Sequence, residues 1–453
     1  MKEHIKKISF NRVFYGANAY SQREMLSEIN GLASYLSENK KSHSPFIYLF
    51  AKNNVKTIVA YFAILKSGSI AVLVEPEIGK LELKEKFVEV PPCALIRLNV
   101  ENDCFDYKEE VGFKTVNGNN INKSELDDVC TIAFSAAEDG FAKAIMLTYK
   151  NMLSMSNAIR YCDKIDKDSI CCALLPFHHI YGLQTGVLAP VLSGASILIE
   201  DVRDLTRIKS IVCDLECHNV SNIYSLPIIY YLLAKIPDVK RKLRGVKGFV
   251  SGGYKLSHKI FNSFMKNIGK EIHEGYGLTE ASPICTWHRP EDEVKIDSVG
   301  REFGCCRIKI FDEKNKEVPP FKVGEICVEG DNVMKGYYGK KDYTDEVIRN
   351  GWLKTGDLGS IDDDGYLFIS GLKKEMFNVA GRNVYHREVE RLMLQNLEVE
   401  EVRIYCEPSD VQGDILRGDV KLKHNTEQKE NSFVKWCKEN ISYYKIPGNI
   451  NFH

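Results

Sequence analysis

The stretch Val55-Lys-Thr-Ile-Val-Ala-Tyr-Phe-Ala-Ile-Leu65 reads as a helix that stops at Gly68 and runs into an apolar strand, Ile70-Ala-Val-Leu-Val74. A strand with one wet face alternates apolar and polar residues, so an unbroken apolar run predicts a strand covered on both faces. The same unit recurs on either side. Upstream, Ser21-Gln-Arg-Glu24 has capping-box spacing, and Met25, Ile29, Leu32, Ala33 and Leu36 follow at helical period. Downstream, Ile170–Leu175, Ser196–Ile199 and Ile223–Leu226 read as strands, the last leading into a helix over 228–235. Buried strands joined by helical crossovers predict an α/β fold of mostly parallel sheets with helices on both faces.

The pattern changes near residue 295. From Ser298 to Phe368 short alternating strands are broken by turns at Asp312-Glu-Lys-Asn, Asp331-Asn and Asp362-Asp-Asp-Gly365, which predicts a small antiparallel β subdomain over about 296–371. After Gly371 comes a charged segment, Leu372-Lys-Lys-Glu375, and then an α+β pattern. The expected organisation is a large N-terminal domain, 1–371, and a small mobile α+β C-terminal domain, 372–453, joined by a hinge at that segment.

Length and composition limit the function classes. At 453 residues, 44% apolar and 27% charged, the chain has the make-up of a soluble globular protein with room for two or three cores. Lys plus Arg number 61 against 62 Asp plus Glu, so there is no basic excess to bind nucleic acid. No run approaches the roughly 18 apolar residues of a membrane helix. The first residues lack the apolar core of a secretory signal. The 14 cysteines are scattered, without zinc spacing, and are expected to be reduced thiols in the cytoplasm.

Several segments carry chemistry. Thr131-Ile-Ala-Phe-Ser-Ala-Ala-Glu-Asp-Gly-Phe-Ala-Lys143 predicts a strand, a loop and a lysine, with a helix from Asn151. Such a loop cradles phosphate with its N–H groups, here at Gly140, while Lys143 neutralises charge. Glu138 and Asp139 carry the wrong sign for that task, and alone the segment reads as an ordinary surface loop rather than a phosphate cradle. Farther on stand Leu175-Pro-Phe-His-His-Ile-Tyr-Gly-Leu183, Val250-Ser-Gly-Gly-Tyr-Lys-Leu256 and Glu274-Gly-Tyr-Gly-Leu-Thr-Glu280. They are followed by Gly324-Glu-Ile-Cys-Val-Glu-Gly330 with Gly336-Tyr-Tyr338, by Trp352-Leu-Lys-Thr-Gly-Asp-Leu358, and by the run from Gly371 to Glu390.

This ordered series, over about residues 20–452, resembles the adenylate-forming superfamily: acyl- and aryl-CoA synthetases, firefly luciferase and the adenylation domains of peptide synthetases. The resemblance implies an ATP-dependent carboxylic acid ligase. A carboxylate attacks the α-phosphate of ATP, giving an acyl-AMP and pyrophosphate. A thiol, from CoA or the phosphopantetheine of an acyl carrier protein, then takes the acyl group. The C-terminal domain turns about its hinge, at Lys374, between the steps. Bringing two anions together makes charge neutralisation and positioning dominant.

By resemblance, Thr279 contacts phosphate and Glu280 holds Mg²⁺; taken alone, the pair is equally a helix cap and a first-turn acid. Asp357 resembles the acid that binds the ribose hydroxyls, although a turn aspartate has the same look. Gly252, Gly253, Gly275, Tyr276 and Gly277 resemble nucleotide-site residues, glycines permitting close backbone approach. Phe177, His178, His179 and Gly182 fall where the family builds its acyl pocket, with His179 at the carboxylate end. Amino-acid-activating members carry an Asp there. Its absence points to a fatty or an aryl acid.

Four departures from the family touch the nucleotide. The loop Ser135-Ala-Ala-Glu-Asp-Gly140 loses hydroxyls and gains two acids. The family's ribose-holding Arg is Leu372, which removes a charge-assisted bond of roughly 1.5–3 kcal/mol. The lysine linked to the thioester step is Asn378. Finally, the sequence ends at His453, before the motif whose lysine bridges carboxylate and phosphate; in a chain that ended there, adenylation is expected to slow on the order of 10²–10³-fold. Three readings stand together: a working ligase, a divergent acyl or acyl-AMP binding or partner module performing the thioester step or none, and a shortened ligase.

Overall fold

The computed structural model describes residues 10–39, 44–99, 104–108, 124–135, 141–202, 204–372, 377–379, 381–409, 411, 413–424 and 426–453. Gly140, the loop acids Glu138 and Asp139, and Lys374 lie outside the described residues.

The helix Val55–Lys66 and strand Ile70–Val74 fall where the sequence places them, and Gly68, at φ +74°, makes the turn between them. The strand belongs to a sheet of seven strands among the described residues and pairs in parallel with Phe46–Phe50 and Val129–Ser135. Both faces are covered. Ile47, Leu49, Ala71 and Leu73 enter one core while Phe46, Tyr48, Phe50, Val72 and Val74 enter another. The unbroken apolar run is therefore needed, because alternate residues face different layers.

The second sheet has fourteen strands among the described residues. Its parallel part runs through Ser196–Ile199, Ile170–Ala173, Asn222–Ser225, Gly248–Ser251 and His273–Tyr276. The strand expected over 170–175 stops at Ala173, ahead of Pro176, which has no N–H for a ladder. The antiparallel strands Ser298–Glu302, Cys306–Phe311, Gly324–Gly330, Trp352–Ile361 and Tyr366–Leu372 continue this same sheet through the short Thr286–Trp287. Helix Val55–Lys66 lies in a core that also takes Ala173, Ile197 and Ile199, which explains why it is buried all round.

The helix expected from Asn151 starts earlier, at Tyr149. Thr148 caps it: its hydroxyl accepts from the Asn151 N–H at 3.1 Å, and Asn151 Oδ1 accepts from the Thr148 N–H at 2.8 Å. The Ser21–Glu24 box forms as its spacing predicts, opening helix Gln22–Glu38.

C-terminal residues build a five-stranded sheet around the hairpin Val399–Ser409 and Gly413–Leu422, with Asn449–Phe452 added in parallel. Helices His386–Met393 and Glu427–Asn440 close a separate core of Val389, Leu392, Met393, Leu416, Val420 and Phe433.

Candidate functional site

The C-terminal ends of the parallel strands Asn222–Ser225, Gly248–Ser251 and His273–Tyr276 form one rim. Ligands of open α/β sheets bind at such rims because backbone groups there are free of the ladder. Gly252 and Gly253 leave the rim directly after Ser251. A side chain on Gly252 would lie 3.1 Å from the Tyr181 ring, and Gly253 has φ +90° with Leu226 against it. Only glycine suits the second position without strain.

Tyr276 ends the last parallel strand, and its hydroxyl donates to Asp357 Oδ2 at 2.5 Å. Asp357 comes from strand Trp352–Ile361, where Leu372 stands opposite it in register. Leu372, where the resemblance expects an arginine, thus stands across the ladder from Asp357. Burial pushes the Asp357 carboxyl up to about 6; Glu280 and Glu325 add to the rise, and the Tyr276 bond opposes it. Burial also drives the Tyr276 hydroxyl well above its ordinary value.

Thr279 and Glu280 open a short 3₁₀ turn, Thr279–Ala281. A side chain on Gly277 would overlap the Pro283 carbonyl oxygen, so this turn folds back on the Gly275–Gly277 segment too closely for any other residue. Glu280 Oε1 accepts from the Tyr337 hydroxyl at 3.0 Å, and the Ser135 hydroxyl also bonds its carboxyl. Burial raises the Glu280 pKa, while these bonds and the charge of Lys143 pull it down. Ser135 is the last described residue before the phosphate-loop segment.

Lys143 opens strand Lys143–Thr148, paired with Ser135, because Ala144-Ile-Met-Leu147 is apolar and goes into the sheet ahead of the helix. Its ammonium lies 3.6 Å from the centre of the Tyr343 ring.

The Leu175–Gly182 segment is held by Asn53, which donates to the Leu175 carbonyl at 2.9 Å and accepts from the Phe177 N–H at 2.9 Å. Phe177 is buried, and the His178 and His179 rings meet with centroids 4.4 Å apart. His179 Nε2 is buried without a hydrogen-bond partner. Burial, aided by the nearby charge of Arg382, lowers its pKa to about 3, so this imidazole is neutral at pH 7. The Tyr181 hydroxyl is likewise buried without a partner. At Gly182 the backbone packs on the Pro176 carbonyl, leaving no room for a Cβ.

Asn378 arrives from the C-terminal sheet. Its amide donates to the Gly253 carbonyl at 2.7 Å, and Gly381 lies against the same loop. The Tyr254 hydroxyl adds a bond to the Val411 carbonyl at 3.1 Å. Sequence reasoning noted Asn378 only as a departure and gave no role to Asn53, Tyr181 or Tyr337. Tyr181 and Tyr337 lie within quoted motifs; Asn53 gave no local signal.

Comparison with known proteins bears on the fold and the family. A long-chain-fatty-acid–CoA ligase of Escherichia coli O6:H1 is 31% identical over 338 residues, 73% of this chain and 59% of the ligase. The chain thus spans less than two thirds of that relative's length. A long-chain-fatty-acid–CoA ligase of Bacillus subtilis strain 168 is 25% identical over 493 positions, covering 97% of this chain and 87% of the relative. An amide bond synthetase from Marinactinospora thermotolerans shares the fold, with a TM-score of 0.84 at 18% identity over 100% of this chain and 95% of its own. The model of the AMP-binding enzyme family matches residues 2–338, and the chain belongs to that adenylate-forming family.

Proposed function

We propose that the chain is an ATP-dependent ligase that joins a fatty or aryl carboxylic acid to a thiol through an acyl-AMP. The observation that carries this reading is the Asp357 carboxylate, held by Tyr276 at 2.5 Å beside the Gly252–Gly253 rim. One of its oxygens accepts from Tyr276, and a carboxylate has capacity left to accept from ribose hydroxyls. The glycine rim gives adenine a close approach. Across the site, Glu280 offers a carboxylate for Mg²⁺, an ion that takes one or two protein carboxylates and completes its shell with phosphate and water. This donor set fits Mg²⁺ carried by the nucleotide, whose chemistry is to neutralise phosphate charge. Thr279, at the start of the same turn, is positioned to contact phosphate, and Lys143 adds charge beside Glu280.

The acid would lie against Phe177, His178, His179 and Gly182. Its carboxylate oxygen bonds to the α-phosphorus as pyrophosphate leaves; a thiol sulfur then bonds to the acyl carbon as AMP leaves. Neutral His179 has an unpartnered Nε2 to offer the reacting carboxylate. CoA or a carrier protein's phosphopantetheine supplies the thiol. We read residues 1–371 and 372–453 as two domains. Among the described residues no helix is long and apolar enough to cross a membrane, and we place the protein in the cytoplasm.

Calorimetric titration of ATP with Mg²⁺, and of AMP, tests this reading, followed by pyrophosphate release across an acid panel. Micromolar binding and release support it. Absence of binding at millimolar nucleotide overturns it in favour of a second reading, an acyl-binding or partner module, which Glu138, Asp139, Leu372 and Asn378 favour.

A further inference from the structure

Helix Lys80–Glu89 meets the C-terminal sheet through charge. Lys445 Nζ lies 2.6 Å from Glu82 Oε1 on this helix and 2.7 Å from Glu388 Oε1 on helix His386–Met393, with all three side chains at most 6% exposed. Arg391 grips Glu85 with both guanidinium nitrogens, at 2.6 and 2.9 Å, and Arg382 pairs with Glu75 at 3.1 Å. Three acids from the N-terminal part therefore face three cations from the C-terminal part.

The start of the helix is also tied across this seam. Gly79 has no side chain to cap the helix. Instead Ser442 Oγ accepts from the Gly79 N–H at 3.3 Å, while Glu82 accepts from the Ser442 N–H at 2.6 Å. Ser442 thus accepts from one end of the helix's first turn and donates to the other, tying segments 360 residues apart. The approach is tight, because a Cβ on Gly79 would overlap the Asn440 carbonyl. Buried ion pairs hold their partners in one geometry, since displacing either leaves an uncompensated charge.

We propose that Lys445, gripping Glu82 and Glu388, is a positioning residue that seats the strands Phe377–Val379 and Arg382–Val384 on the Gly253 loop. Arg382 and Asn378 lie on those strands, one tied to Glu75 and the other to Gly253, so the seam and the loop contact form one rigid bearing. The functional meaning rests on reading Gly253 as the nucleotide rim; the seating itself does not.

Amide hydrogen exchange on the full chain without nucleotide tests the seating. Two substitutions outside the C-terminal core are used: Glu82→Ala, which removes the acceptor of Lys445 and Ser442, and Gly79→Ala, whose methyl meets Asn440 at an ordinary φ of −61°. Both are expected to speed exchange at Ser442 and in the strands Phe377–Val379 and Arg382–Val384, Glu82→Ala by at least about tenfold because it removes two hydrogen bonds to a charged carboxylate, and Gly79→Ala in the same direction through its clash with Asn440. Exchange in Val399–Ser409 and Gly413–Leu422 should stay at the wild-type rate. Unchanged exchange in Phe377–Val379 and Arg382–Val384 would overturn the proposal, as would an equal rise in the long hairpin. A chain that binds no ATP but shows the expected pattern keeps the seating and loses only the ligase reading.

Discussion

Removing the Asp357 carboxylate tests the nucleotide site most directly. In Asp357→Ala the Tyr276 hydroxyl loses its 2.5 Å acceptor in the free and bound states alike, so that loss largely cancels from binding. On the proposed reading, what remains is the contact between carboxylate and ribose. A hydrogen bond to a charged group contributes about 1.5–3 kcal/mol, so AMP affinity should fall about ten- to 150-fold. Titration calorimetry at pH 7.5 measures this, with a thermal melt showing that the variant is folded. The pH profile supplies a second reading of the same group. Because burial raises the free carboxyl to about 6 and ribose requires the ionised form, AMP affinity should weaken as pH drops below about 6. Tyr276→Phe removes the bond that lowers this pKa, so the midpoint should move upward. The folding linkage has the opposite sign: a carboxyl raised in the folded state favours folding below its unfolded pKa, and that contribution is lost as pH rises through about 6. Unchanged AMP affinity in Asp357→Ala, with a flat profile between pH 5 and 7.5, would remove Asp357 from the site.

Three further outcomes are expected. Glu280→Gln should abolish the Mg²⁺ dependence of ATP binding while AMP binding stays within about twofold, since one carboxylate is the charge offered to the ion; titrations with and without Mg²⁺ decide it. His179, buried with a pKa of about 3, should keep a neutral ring from pH 5 to 8 in imidazole NMR spectra, and a midpoint near 6.5 would contradict its burial. Gly277→Ala forces a methyl into the Pro283 carbonyl and should lower stability by about 1–3 kcal/mol or more in chemical denaturation, with nucleotide binding lost alongside.

Some of this protein was decided locally and is legible in the chain. The helix Val55–Lys66 and strand Ile70–Val74 follow from apolar periodicity and a glycine stop, and the Ser21–Glu24 box from spacing alone. Such signals survive because each depends on neighbours within a few residues. The family, too, was legible, since motifs in fixed order do not need coordinates. Other features come from residues far apart in sequence. Lys143 sits on a strand because the apolar residues after it are claimed by the sheet, an element the sequence reading did not place between the loop and the helix. Asn53 clamps Leu175 and Phe177 from 122 and 124 residues away. Asn378 was visible only as a missing lysine; folding turns it into the donor that ties the C-terminal sheet to Gly253. Lys445 gave no signal, because nothing local makes a lysine buried. Its place between Glu82 and Glu388 exists only once three distant segments exclude water around them. Periodicity, caps and motif order were thus fixed by the chain itself. Which charges face one another, and at what burial, was decided by tertiary structure, since an ion pair's geometry and dielectric belong to the assembled packing rather than to either residue.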